Sequence, residues 1–166
     1  PTRPGRPLVC YSGDDSQNEY IYKYVSRGKY LPLLRHPSRL LDDGTLYVAR
    51  FNPDGRGEWL ALDLRDRAFR AACAKAGVSF ADQGEVLINT RLAADIVGAT
   101  KMDRPEWGAV NPDNGEVFFT LTNNSSRTEA DAANPRAANP YGHIIRWREN
   151  RRDHAGRQFR WDIFLL

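Results

Sequence analysis

Short apolar runs broken by Gly, Asn and Pro turns constrain this chain more than any other feature. The pattern is clearest in residues 102–127. A charged knot, Asp103-Arg104-Pro105-Glu106, leads into a run over 107–111. The turn Asn111-Pro112-Asp113-Asn114-Gly115 follows, then a run over 116–122 and a polar cluster, Asn123-Asn124-Ser125-Ser126-Arg127. Asn-Pro and then Asn-Gly between β-branched and aromatic runs predicts a hairpin. Antiparallel pairing puts Asn123 and Asn124 at the same end as Arg104 and Glu106. A cation, a carboxylate and two amides converge there, which suits a metal and an oxyanion.

The same punctuation recurs along the chain. Residues 7–12 read as a strand ending in Gly13-Asp14-Asp15. Residues 19–26 alternate, with Tyr20, Tyr22 and Tyr24 on one face and Ile21, Lys23 and Val25 on the other, a period of two. Strands over 45–51 and 58–64 flank the turn Asn52-Pro53-Asp54-Gly55. Four short strands with hairpin connections make one propeller blade. The pattern then turns helical. The Ala-rich residues 67–76 are closed by Gly77. Asp82 and Glu85 form a capping box that opens a helix to about Val97, with Ile88, Leu92 and Ile96 on one stripe and Gly98 as its stop. A loop over 125–141 precedes the last strands, 142–149 and 159–166.

Eight strands and two helices make about two four-stranded antiparallel blades with a helical insertion at about 67–98. A closed propeller needs at least about four blades. Residues 159–166 also form an apolar edge that would invite aggregation if left uncovered. The expectation is a partial propeller domain over 1–166, a segment of a longer protein, poorly soluble or marginally stable when isolated.

Composition mainly excludes. No run of 18 apolar residues exists, so no membrane-spanning helix is predicted, and the N-terminal residues have no apolar core of a signal peptide. The net charge is +3, and 20 of 24 basic residues are Arg. These are scattered outside 146–160, with no aromatic-and-basic stripe of a single-strand binder, so no nucleic-acid partner is expected. Cys10 and Cys73 lack metal or redox spacing and read as small core residues.

Three groups could carry chemistry. Asp14, Asp15 and Glu19 could offer hard oxygens to Ca²⁺, or simply form a solvated turn. Arg104 and Glu106 are held in restricted geometry by Pro105, and Arg104 offers a planar fork for phosphate or carboxylate. The alternative is a structural salt bridge, with Asp95 or Asp103 as partner. Asn123, Asn124 and Arg127 could ligate or brace a loop. His143 reads as a strand residue and His154 as exposed. No nucleophile-and-base set, Walker loop or dinucleotide fingerprint appears.

The blocks YSGDDSQNEYIYKYVS, RLAADIVGATKMDRPEWGAVNPDNGEVFFTLTNNSSR and NPRAANPYGHIIRWRE resemble the PhoX family of bacterial alkaline phosphatases, also called DUF839. The resemblance runs from Val9 to Leu166 and is looser over 27–80. It implies a six-bladed β-propeller with helical insertions and a monomeric phosphomonoesterase exported to the periplasm or beyond. It also implies a centre of iron and calcium. By motif, Glu19 and Glu106 are the expected metal ligands and Arg104 the expected catalytic, phosphate-binding arginine, while Asp14 and Asp15 match without an assigned role. The family's metal-ligating cysteine falls outside this stretch, so neither Cys10 nor Cys73 takes that part. Two rival readings share the frame: a non-catalytic propeller scaffold, and a different metal-dependent hydrolase of lactonase or phosphotriesterase type.

Overall fold

The computed structural model describes residues 3–33 and 37–166. Among these, eight strands form one antiparallel sheet: β1 (Pro7–Gly13), β3 (Ile21–Lys29), β4 (Gly44–Phe51), β5 (Arg56–Ala61), β7 (Pro105–Val110), β8 (Val117–Leu121), β9 (His143–Glu149) and β10 (Gln158–Leu165). Two very short strands, β2 (Gln17–Glu19) and β6 (Met102–Asp103), pair separately. The helices are α1 (Arg67–Ala76), α2 (Gln83–Ile88) and α3 (Thr90–Val97). The chain is mainly β, as expected, and all eight expected strands are present and antiparallel.

The sheet order is β1-β3-β4-β5-β10-β9-β8-β7, which is two four-stranded meanders joined at β5 and β10. That joint is short: Gln158, Phe159 and Arg160 pair with Glu58, Gly57 and Arg56. At the far end β1 runs beside β7. A Cβ on Gly13 would lie 2.4 Å from the Pro105 carbonyl oxygen, so the approach requires glycine there. The sheet therefore nearly closes on itself.

The two meanders face each other across an aromatic core of Phe51, Trp59, Phe119, Trp147 and Phe159, with Ile21, Leu121 and Ile145 around them. The Trp59 and Trp147 rings meet edge to face at 5.8 Å. Each such side chain gains about 1.5–3 kcal/mol on leaving water. The other face of β3–β5 carries Tyr20, Tyr22, Val48 and Leu62 against Phe69, Cys73, Val86, Ala93 and Ala94 of the helices. The period-two reading of residues 20–25 thus corresponds to two different cores on two faces of one strand.

An ion pair crosses the inner core. Lys23 and Glu149 have fully buried side chains, with Lys23 Nζ 3.4 Å from Glu149 Oε1. Lys23 also donates to the Gly156 carbonyl at 2.6 Å and lies 4.5 Å from the centre of the Trp59 ring. Glu149 Oε1 accepts from Trp59 Nε1 (2.9 Å) and from the Tyr11 hydroxyl (2.8 Å). Tyr11 in turn meets His154 Nδ1 at 2.7 Å, so His154 is half-buried rather than exposed, and burial lowers its pKa to about 4.

Two other expectations fail locally. The helix expected over 82–97 breaks at Asn89 (φ −101°, ψ 40°). The break re-phases the apolar stripe: Ile88 is 85% and Leu92 44% exposed, while Val86, Ala93 and Ala94 are buried. Cys10 faces solvent and only Cys73 is buried. In the edge strand β1, alternation sends Val9 inward and Cys10 out. Asp82 accepts from the Glu85 amide and Gly77 and Gly98 end α1 and α3 at positive φ, as expected, while the Glu85 carboxylate reaches back to the Ala81 amide rather than that of Asp82. Asp66, which the sequence reading did not single out, caps α1.

Candidate functional site

The residues of interest are gathered by the pairing of β2 with β6, which sets Gln17 opposite Asp103 and Glu19 opposite Met102. Three segments meet: the turn after β1, the passage from β6 into β7, and the polar cluster after β8. Arg104 Nε donates to Asp15 Oδ1 at 2.7 Å. Gln17 Nε2 donates to Asn123 Oδ1 at 3.1 Å. Asn124 Nδ2 donates to Asn18 Oδ1 at 2.9 Å, and Asn18 Nδ2 to Ser126 Oγ at 3.0 Å. The Arg104 carbonyl accepts from the Thr122 amide at 3.1 Å, so Arg104 does share an end with the polar cluster.

Arg104 is half-exposed and has φ +59°, a left-handed conformation unusual for a non-glycine residue. Its partner is Asp15, not Asp95 or Asp103. Asp103 is wholly buried and takes Arg127 Nε at 2.5 Å and Asn139 Nδ2 at 3.0 Å. Asn134 Oδ1 accepts from its amide at 3.0 Å. Asn124 is buried too, and its amide donates to the Asn139 carbonyl at 2.7 Å. His143 Nε2 donates to the Ala133 carbonyl at 2.8 Å, and burial lowers its pKa. This lattice braces the 122–142 loop, so Asn124 and Arg127 are committed to bracing.

Glu19 is 3% exposed, and Oε1 is paired with Arg91 Nη1 of α3. Its Oε2 is buried and has no hydrogen-bond partner among the described residues. Burial raises the Glu19 pKa, Arg91 opposes that, and Asp14 adds to it. The next residue, Tyr20, donates its hydroxyl to Asp95 Oδ1 at 2.5 Å, and Lys101 Nζ lies 3.1 Å from the same oxygen. Burial pulls the Asp95 carboxyl upward, but Tyr20 and Lys101 outweigh it and hold the pKa below its ordinary value.

Glu106 lies at the register shift between Pro105 and Trp107, exposed on β7. No hydrogen bond joins it to Glu19 or Arg104 among the described residues. Nor do three or more His, Cys, Asp or Glu side chains among the described residues gather closely enough to hold a metal by themselves. The structure therefore brings Arg104, Asp15 and the Glu19 strand together and leaves Glu106 beside them on the open strand. Sequence reasoning missed Gln17, Asn18 and Arg91. None stands in a motif with its partner, and only folding brings them together.

A geometry of buried carboxylate, poised guanidinium and amide-rich bracing suits an oxyanion near a cation. The family model described as "Alkaline phosphatase PhoX" matches residues 1–166. No curated protein matches the chain. Among solved structures, Pseudomonas fluorescens PhoX in complex with vanadate, a transition state analogue, is similar with a TM-score of 0.85 and 46% identity. The match covers 99% of this chain and 30% of that one, so the chain spans less than a third of its solved relative. The chain belongs to the PhoX family of alkaline phosphatases.

Proposed function

We propose that this chain is two adjacent blades of a β-propeller alkaline phosphatase, and that it contributes part of a centre hydrolysing phosphate monoesters. The observation that carries the reading is the convergence at the β2–β6 pair, where Arg104 stands beside Asp15 and the strand of Glu19. The vanadate complex of the similar Pseudomonas fluorescens protein supports a phosphoryl substrate. The two meanders facing each other across one core support the blade reading.

Arg104 is the catalytic, phosphate-binding arginine in this reading. Asp15 holds its Nε edge and fixes the plane of the guanidinium. Among the described residues its other nitrogens have no partner, so they can donate to the phosphoryl oxygens as negative charge develops. Glu19 and Glu106 are the proposed metal ligands. The unpartnered buried Oε2 of Glu19 fits that role, because a buried carboxylate oxygen left without a donor is costly. The donors are all oxygen, which suits calcium and ferric iron, and this chain supplies only part of the set. When bound, the metals supply Lewis-acid polarisation of the phosphoryl group. Asp14 and Asp15 shape the turn that presents Glu19. The full-length protein is read as an exported monomer, in the periplasm or outside the cell.

The test is made in the full-length protein. Arg104→Ala should keep its metals and lose kcat/KM for a phosphate monoester by about 100-fold or more. Glu106→Gln should lose metal content. Wild-type metal content and rate in both variants would defeat the site assignment while leaving the fold untouched.

A further inference from the structure

Helix α3 lies outside the hairpins that carry the site, yet it grips the β2–β3 junction with two side chains one turn apart. Arg91 pairs with Glu19 Oε1, and Asp95 accepts from the hydroxyl of the neighbouring Tyr20. Residues at i and i+4 share a helix face, so one face of α3 reads two consecutive residues. The helix itself is seated firmly. Ala93 and Ala94 are wholly buried against the helix-side core, and methyl side chains let its backbone come close. Its C-terminus is capped by Gly98 at positive φ. Beyond the cap, the Thr100 amide donates to the Ala49 carbonyl at 3.1 Å, and Thr100 Oγ1 accepts from the Phe51 amide at 2.8 Å. The chain then passes directly into β6 and Arg104. One continuous segment thus fixes both Glu19, through Arg91, and Arg104, through the strand that follows.

We infer that Arg91 is a positioning residue: by occupying Oε1 of the buried Glu19 it leaves that carboxylate a single oxygen, Oε2, to offer a metal ion. This rests on the reading of Glu19 as a metal ligand. Glu19 without Arg91 would present both oxygens and could turn about its own side-chain torsions. With Arg91 it is a one-oxygen donor of fixed direction, braced by a helix that also holds the neighbouring Tyr20 through Asp95. Arg91 is itself more than half exposed. Among the described residues the pairing is one-sided: Arg91 occupies Oε1, and the buried Oε2 has no hydrogen-bond donor.

The experiment is a double-mutant cycle on the full-length protein, read by competition of a chelator for calcium and by metal content after dialysis. The variants are Arg91→Ala, Arg91→Lys, Glu19→Gln and the Glu19→Gln/Arg91→Ala pair, each confirmed as folded by circular dichroism. Removing a group that orients a metal ligand lowers metal affinity by about 10–100-fold. Arg91→Ala should do so in the wild-type background, Arg91→Lys should recover most of the loss, and Arg91→Ala should have little further effect once Glu19 is Gln. An equal loss in both backgrounds would mean that α3 has merely come loose, and would overturn the inference. So would wild-type calcium affinity in Arg91→Ala when Glu19→Gln loses metal. If Glu19→Gln itself keeps wild-type metal, the ligand assignment fails first and the inference falls with it.

Discussion

Replacing Lys23 with Met tests what holds the two meanders together. Lys23 sits on β3 and Glu149 on β9, and both side chains are fully buried. The substitution keeps much of the aliphatic volume and deletes the cation. Glu149 Oε1 would keep its donors from Tyr11 and Trp59, but among the described residues the carboxylate would lose its one ion-pair partner, and Oε2 already has no hydrogen-bond donor there. Breaking a buried pair in this one-sided way costs about 3–5 kcal/mol. At about 1.4 kcal/mol per decade, hydrogen exchange of β3 and β9 amides that open through this core should speed up by about 100-fold to a few thousand-fold. Adding Glu149→Gln should restore most of the protection, because a neutral amide is far cheaper to bury than an unpaired carboxylate. The pair also has a pH signature. Burial lowers the Lys23 pKa to about 8, against the opposing pull of Glu149. Between pH 8 and the unfolded value of about 10.5 the unfolded chain holds more protons than the folded one, so this group's contribution to stability rises with pH through that window and is lost as pH falls to 8. Lys23→Met should remove that rise. Exchange in Lys23→Met within twofold of wild type, with the same pH slope, would refute the assignment of the pair as the inter-meander clasp.

Asp103→Asn should leave the nearly buried Arg127 guanidinium only Asp131, a half-exposed carboxylate, as ion-pair partner among the described residues; the expected loss is up to about 3 kcal/mol, read as faster limited proteolysis within residues 122–142. On the proposed assignment, Arg104→Gly in the full-length protein should abolish most phosphatase activity without comparable destabilisation, since glycine adopts φ +59° freely and the half-exposed Asp15 pair is worth about 1 kcal/mol at most. A melt lowered as strongly as in Asp103→Asn would show that Arg104 is a structural residue.

The hairpins were legible because their signals are local. Asn111-Pro112 with Asn114-Gly115, and Asn52-Pro53 with Gly55, mark turns wherever they fall, and a period of two between them fixes which residues share a face. That is why Ile21, Lys23 and Val25 could be placed together, Lys23 included, before its partner was known. The helix caps at Asp82, Gly77 and Gly98 are equally local. The break at Asn89 was not legible: Ile88, Leu92 and Ile96 satisfy a helical stripe, and only the demand that Val86 and Ala93 reach one core overrides it. The meeting of β5 with β10 and the ion pair of Arg91 with Glu19 join distant stretches, and neither partner carries a mark of the other. Of the candidate site, the residue types were visible, but the strap that assembles them was not. Strands of three and two residues are too short for any periodicity.

The β2–β6 pairing also accounts for the amides that gather around it. Asn18 (φ +62°) and Arg104 (φ +59°) both sit in the left-handed region on either side of the β2–β6 pairing. Each such residue costs on the order of 1–3 kcal/mol and persists only where its surroundings over-determine it. The surroundings here are specific. Asn124 and Ser126 hold the Asn18 side chain, Thr122 bonds the Arg104 carbonyl, and Asp15 takes the guanidinium. Behind them the buried Asp103–Arg127–Asn139 lattice fixes the loop from which Asn124 and Ser126 project. Register shifts in β2 and at Glu106 in β7 add to the same effect, since a bulge re-aims the side chains around it. The amides that converge on the hairpin end therefore serve the site at one remove: they keep two strained backbone positions in place, and those positions set where Arg104 and Glu19 point.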